Sequence, residues 1–225
     1  MASYVSDNIF SNACTAELLG GIFSIDGAPG IISGNQITSP MEKGLFLGYY
    51  NGTVSSGSTY IQDNIITGTT TTKDPDHGTE GISFEDSTKT LDLYVDNNTI
   101  QNDGYTSGTY LGIGMSGGDA KNLSITNNDI AGFFAYGIDM EGDKDIDDIE
   151  IINNVLYAGS VTTDYGYQYG IRFYDSVSGG SEALIGNGTI KDNIIANMKT
   201  GIDISLEVGG FTALDNDYNA YWGNE

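Results

Sequence analysis

The chain has 225 residues and a formal net charge of −23, from 31 acidic against 8 basic side chains. That balance excludes nucleic-acid partners and adsorption to anionic lipid, which both need a basic footprint. It leaves cations, neutral glycans and cationic surfaces. No apolar run approaches a membrane span, so no membrane insertion is expected. Met1-Ala-Ser-Tyr4 does not read as a secretory leader, and the single Cys14 excludes an internal disulfide.

Along the chain one frame recurs: aliphatic, two variable residues, Asn, one variable residue, aliphatic. It begins at Val5-Ser-Asp-Asn8-Ile-Phe10, followed by Gly21-Ile-Phe23. Asn35 lies between Ile32 and Ile37 and precedes Gly44-Leu-Phe-Leu47, and Asn64 lies between Ile61 and Ile66 and precedes Gly81-Ile-Ser-Phe84. Val95, Asn98 and Ile100 lead to Gly112-Ile-Gly-Met115, and Ile125, Asn128 and Ile130 lead to Gly137-Ile-Asp-Met140. Ile151, Asn154 and Leu156 then lead to Gly170-Ile-Arg-Phe173, and Ile190, Asn193 and Ile195 to Gly201-Ile-Asp-Ile204. The seven asparagines are 27, 29, 34, 30, 26 and 39 residues apart. A period in that range marks a solenoid.

The spacing inside the frame predicts geometry. Side chains alternate faces along a strand, so the two aliphatic positions, five apart, are both buried only if the strand breaks between them. Asn is the natural breaker, because it bonds locally and accepts the left-handed region. The asparagines are therefore expected at one corner, where stacked amides form a hydrogen-bonded ladder. After the glycine, Ile82 and Phe84 are expected inward, with Ser83 and Glu85 outward. Two corner-linked strands plus this one give three sheets per turn. No linker interrupts the repeat, so residues 1–225 are expected to form one domain with both ends uncapped.

These repeats, together with Leu214-Asp-Asn-Asp-Tyr-Asn-Ala-Tyr-Trp222, resemble the right-handed parallel β-helix, or pectate-lyase-like, family. The fold expected is all-β: a single-stranded right-handed parallel β-helix of three sheets and about 7–8 coils. The resemblance implies that substrate lies along the outer face of the sheet made by the glycine-step strands. Longer turns at 67–80, 101–111 and 157–169 would flank it.

The outward positions of that sheet read Ser83/Glu85, Gly114/Ser116, Asp139/Glu141, Arg172/Tyr174 and Asp203/Ser205. Arg172, the only arginine, is expected between Asp139 and Asp203, each attraction nominally ~3 kcal/mol and, if the pair is exposed, worth about 0–1 kcal/mol. The resemblance implies two chemistries for Asp139, Glu141, Arg172 and Asp203. Some family lyases use an arginine near calcium-binding acids as a base; family hydrolases use paired carboxylates, which demand a set separation. Glu85, Tyr165, Tyr167, Tyr169 and Tyr174 are candidate substrate contacts, since aromatic faces stack on sugar rings. His77, within Lys73-Asp-Pro-Asp-His-Gly-Thr-Glu80, is similar to the Asp-Pro-His-Glu motif of alginate epimerases of this fold, with the order changed. Asp143, Asp145 and Asp147 alternate as oxygen ligands for Ca2+.

Three functions follow as expectations. The first is an extracellular or cell-surface β-helix with a polysaccharide-binding groove. The second is a polysaccharide lyase or glycoside hydrolase acting through the four-residue cluster. The third is a solenoid that assembles end to end into homo-oligomers through its uncapped coils.

Overall fold

The structure, a computed structural model, describes residues 3–11, 22–25, 30–38, 43–48, 57–67, 79–85, 91–101, 109–116, 120–133, 135–141, 145–158, 168–174, 183–206 and 209–223. Every strand in it pairs in parallel with the equivalent strand of the next coil. Two sheets hold eight strands and the third holds seven, a parallel β-solenoid of the expected kind. The first sheet contains the strands that precede each asparagine, such as Leu91–Asp96 and Ala120–Thr126. The second contains the short strands that follow it, such as Thr99–Gln101. The third is the glycine-step sheet, including Thr109–Ser116, Tyr136–Glu141, Tyr169–Tyr174 and Thr200–Ser205.

The core runs up the middle as columns of aliphatic residues, nearly all β-branched. Ile61, Val95, Ile125, Ile151 and Ile190 pair coil to coil before the corner and are almost wholly buried. Ile66, Ile100, Ile130, Leu156 and Ile195 do the same after it. Each such side chain contributes about 1.5–3 kcal/mol on leaving water. Both aliphatic positions of the frame therefore point inward, as the corner requires.

The corner differs in one respect from expectation. The left-handed residue is the one before the asparagine: Asp7, Gly34, Asp63, Asn97, Asn127, Asn153, Asp192 and Tyr218 all have φ between 53° and 65°. The asparagine that follows turns its amide inward. Asn128 Nδ2 donates to Asn154 Oδ1 (3.0 Å) and to Val95 O (2.9 Å), while its Oδ1 accepts from Asn98 N and Asn98 Nδ2 (both 3.0 Å). Asn35, Asn64, Asn98, Asn154 and Asn193 are equally sequestered. A buried amide is tolerated here because both its oxygen and its NH2 group find partners. The ladder also has an eighth member. Asn219 accepts from Asn193 Nδ2 at 2.9 Å and donates to Ile190 O at 2.8 Å. Its frame carries Asn216 and Tyr221 where the others carry aliphatics, which hides it from the sequence pattern.

The glycine step is a close approach between coils. A Cβ on Gly112 would sit 2.4 Å from Ile130 Cγ2 and 2.5 Å from the carbonyl oxygen of Gly137, and neither position can give way cheaply. The strand kinks there, and residues on either side of the glycine face opposite ways. Ile113 turns into the core, whereas Leu111 folds outward over Gly114, whose added Cβ would meet Leu111 Cδ2.

Candidate functional site

That kink builds a raised row along the outer face of the glycine-step sheet. Lys43, Leu111, Tyr136 and Tyr169 are each the residue before a glycine: Lys43 lies over Phe46 and Leu111 over Gly114, while Tyr136 packs on the Arg172 guanidinium and Tyr169 stacks on Tyr136. Register places Gly114, Asp139, Arg172 and Asp203 side by side on successive coils. A second outward row runs Glu85, Ser116, Glu141, Tyr174 and Ser205.

Three of the four catalytic candidates converge. Arg172 Nε donates to Asp139 Oδ1 and Arg172 Nη2 to Asp139 Oδ2, both at 2.7 Å, a two-pronged contact matched to the fork of the guanidinium. Arg172 Nη2 also donates to Glu141 Oε2 at 3.1 Å. The guanidinium carbon lies 3.9 Å from the ring centre of Tyr136 and 4.9 Å from that of Tyr174. Tyr136 in turn stacks on Tyr169 at 5.8 Å. Asp203 is Arg172's neighbour in register, yet its carboxylate accepts from Ser205 Oγ at 2.9 Å. The expected stack of Arg172 between two aspartates holds in register, but the pairing is one-sided: Arg172 turns toward the preceding coil, where a fork-shaped partner and a ring face are both available.

The pair is also buried. Asp139 and Arg172 are 4% and 9% exposed, and the Tyr136 ring lies against the guanidinium. Burial opposes the charge on Arg172, but the hydrogen bond and charge of Asp139, with Tyr136 and Glu141 adding to them, prevail and hold it more firmly protonated than a free arginine. Such a group is a poor proton acceptor.

Among the remaining candidates, Glu85 is placed only by its backbone, in register with Ser116. Tyr165, Tyr167, Asp143 and His77 lie outside the described residues. Asp145 is placed by its strand alone, and Asp147 is exposed. No three acidic, histidine or cysteine side chains come together as a metal site among the described residues. The sequence reading passed over Tyr136. The signal available was a large side chain immediately before the glycine, which becomes meaningful only once the kink turns it outward.

With this geometry in hand, the chain can be placed. A family model described as right handed beta helix region matches residues 52–218, well over half of the sequence, and the protein belongs to the right-handed β-helix family. No curated protein and no solved structure matches it.

Proposed function

We propose that this β-helix is an extracellular or cell-surface protein that holds a polysaccharide along the outer face of its glycine-step sheet and does not cleave it. The observation that favours binding over cleavage is the buried ion pair of Arg172. A lyase base must be able to give up its proton, and this guanidinium is held protonated by Asp139 and Glu141 and packed against two rings. A hydrolase needs two carboxyls free to exchange protons, and Asp139 is committed to the ion pair. What the cluster does supply is rigidity. It holds Glu141 and Tyr174, and the next coil sets Asp203 and Ser205 beside them in register, where these groups reach solvent as hydrogen-bonding groups beside an aromatic face.

A glycan array with the intact chain tests the reading, run with and without Ca2+ because the acidic face could take up a bridging cation. Retention of at least one acidic or neutral polysaccharide is expected, weakened by Tyr174→Ala. Release of reducing ends or of unsaturated uronate from any retained glycan would replace binding with catalysis. A blank array would remove the glycan.

A further inference from the structure

The outer face of the first sheet carries a stacked tyrosine pair with a depression beside it. Tyr60 and Tyr94 are register partners whose rings stack at 4.8 Å with an interplanar angle of 9°. One face of Tyr94 is therefore covered by Tyr60. The next residue in the same column is Ser124, then Glu150, then Thr189. Ser124 is too small to continue the stack, and a depression of about 280 Å³ opens beside the ring, walled by Tyr94, Asn122, Ser124, Asp148, Glu150 and Asn187.

The chemistry of these walls is one-sided. Asn187 Nδ2 donates to Asp148 Oδ1 at 2.7 Å, leaving Asp148 Oδ2 without a hydrogen bond among the described residues. Glu150 has neither a hydrogen bond nor an ion pair among them. Asn122 spends its amide on Asp92, at 2.6 Å. The Tyr94 phenol is pushed above its ordinary value by burial first, then by electrostatic interaction with Asp92, Tyr60 and Glu150; of these, the two carboxylates carry negative charge near neutral pH.

The same protein shows what fills such a place. On the glycine-step sheet, Arg172 lies against Tyr136 and pairs with Asp139. Lys43 lies 4.4 Å from the Phe46 ring centre and 3.3 Å from Glu80. In both, an aromatic face and a carboxylate hold a cation between neighbouring coils, the arrangement that ring quadrupoles favour. At Tyr94 the ring and the carboxylates are present and Ser124 supplies no cation. Coils are ~4.8 Å apart, so a group resting in the layer of Ser124 touches the ring on one side and the layer of Glu150 on the other.

We propose that this depression binds an organic cation, of guanidinium or alkylammonium type, between the open face of Tyr94 and the carboxylates of Glu150 and Asp148. The site is on a different sheet from the polysaccharide face and does not depend on that reading. Its size suits a single cationic group, either a small free molecule or the end of an arginine or lysine side chain on a partner.

The test is titration of the intact chain, with 13C-labelled tyrosine rings, by ethylguanidinium chloride, with ethylurea and potassium chloride as controls. One tyrosine set, identified by its absence in Tyr94→Phe, is expected to shift saturably with ethylguanidinium and with neither control. Affinity, read from the exposed site by calorimetry, is expected to change less than about twofold in Tyr94→Phe and to fall roughly fivefold or more in Tyr94→Ala, as loss of a ring–cation contact implies. Glu150→Gln should weaken it as well. Ser124→Arg, which supplies a cation from within, should abolish it while leaving the thermal transition in place. A blocked Gly-Arg-Gly peptide distinguishes the sources: tighter binding than ethylguanidinium points to a protein side chain, and equal binding to a free cation. Absence of a saturable shift, or equal affinity in wild type, Tyr94→Ala and Glu150→Gln, overturns the proposal.

Discussion

Two regions of this molecule remove polar groups from water, and they do it differently. At the corner, an amide is buried in coil after coil, and each takes its partners from the coils above and below. On the glycine-step face, one arginine is buried once, and its partners are particular to two coils. The corner needs no charge and no special neighbour, since every repeat carries both the donor and the acceptor that the next one lacks. The Arg172 cluster depends on Asp139, Glu141, Tyr136 and Tyr174 all being present. Repetition makes burial of polarity routine, whereas a single cluster makes it conditional.

The largest effect should come from interrupting the ladder in mid-rod. Asn128→Ala takes from Asn98 N and Val95 O the partner that the side chain supplied, and removes one bond each from Asn98 Nδ2, which keeps Ile61 O and Asp96 O, and from Asn154 Oδ1, which keeps the backbone N–H of residue 128. At about 1–3 kcal/mol for each of the two orphaned groups and about 1 kcal/mol for each of the two lost bonds, the loss in a denaturant titration is expected to be roughly 4–6 kcal/mol. Asn8→Ala removes the same side chain where it is already exposed, and is expected to cost under about 1 kcal/mol. Equal costs at the two positions would mean that the ladder is not what makes Asn128 matter.

Next comes the cluster. Arg172→Met strands Asp139 as a buried, unpaired carboxylate and is expected to cost about 3–5 kcal/mol. The double variant Asp139→Leu/Arg172→Met removes the stranded charge and should return to within about 1 kcal/mol of wild type. No such rescue exists at the corner, where the partners that lose a bond are backbone groups and amides of other coils. If the double variant is no better than the single, the pair supports the face in a way that its charges do not explain.

A smaller effect is expected on the outside of the corner. Gly34 has φ of 65°, the conformation that Asn97 and Asn127 adopt in their coils, and a Cβ there would meet only the carboxylate tip of Asp7 at 2.5 Å. Gly34→Asn should change stability by no more than about 0.5 kcal/mol, reduced freedom of the unfolded chain offsetting the strain. The smallest effect concerns Tyr94. Its phenol has an ordinary value of 10.0 and is raised in the folded state, by burial first and nearby negative charge second. Between the ordinary and the raised value the unfolded chain loses the proton and the folded chain keeps it, so stability falls as pH rises past about 10. An ultraviolet titration should show this tyrosine ionising late, and Tyr94→Phe should remove that part of the decline.

The contrast between the regions also explains what could be read in advance. The ladder, the three sheets and the inward columns follow from period alone, since each rule is applied seven times and any one failure would show. The left-handed residue was displaced by one position, because both Asp63 and Asn64 tolerate that region and only the inward amide decides between them. Asn219 escaped because Asn216 and Tyr221 break the aliphatic frame. Asp139, Glu141 and Arg172 were legible as neighbours from alternation and register. Their burial was not, since it depends on Tyr136 turning over them, and that turn arises from the contact of Gly112 and Gly137 with the next coil. Tyr94 and Glu150 were passed over because nothing in a list of outward residues reveals that the space at Ser124 stays open.

The corner has a further consequence for how the rod can change length. Residues 65–98 span one strand of each sheet and end on the same kind of amide that precedes them. Excising them joins Asn64 to Thr99, and Asn64 then meets Asn128 as it formerly met Asn98. Whole turns can in this way be subtracted or duplicated in steps of ~4.8 Å without inventing a new junction, so the molecule behaves as a ruler whose graduations are interchangeable and whose markings are carried on the outside.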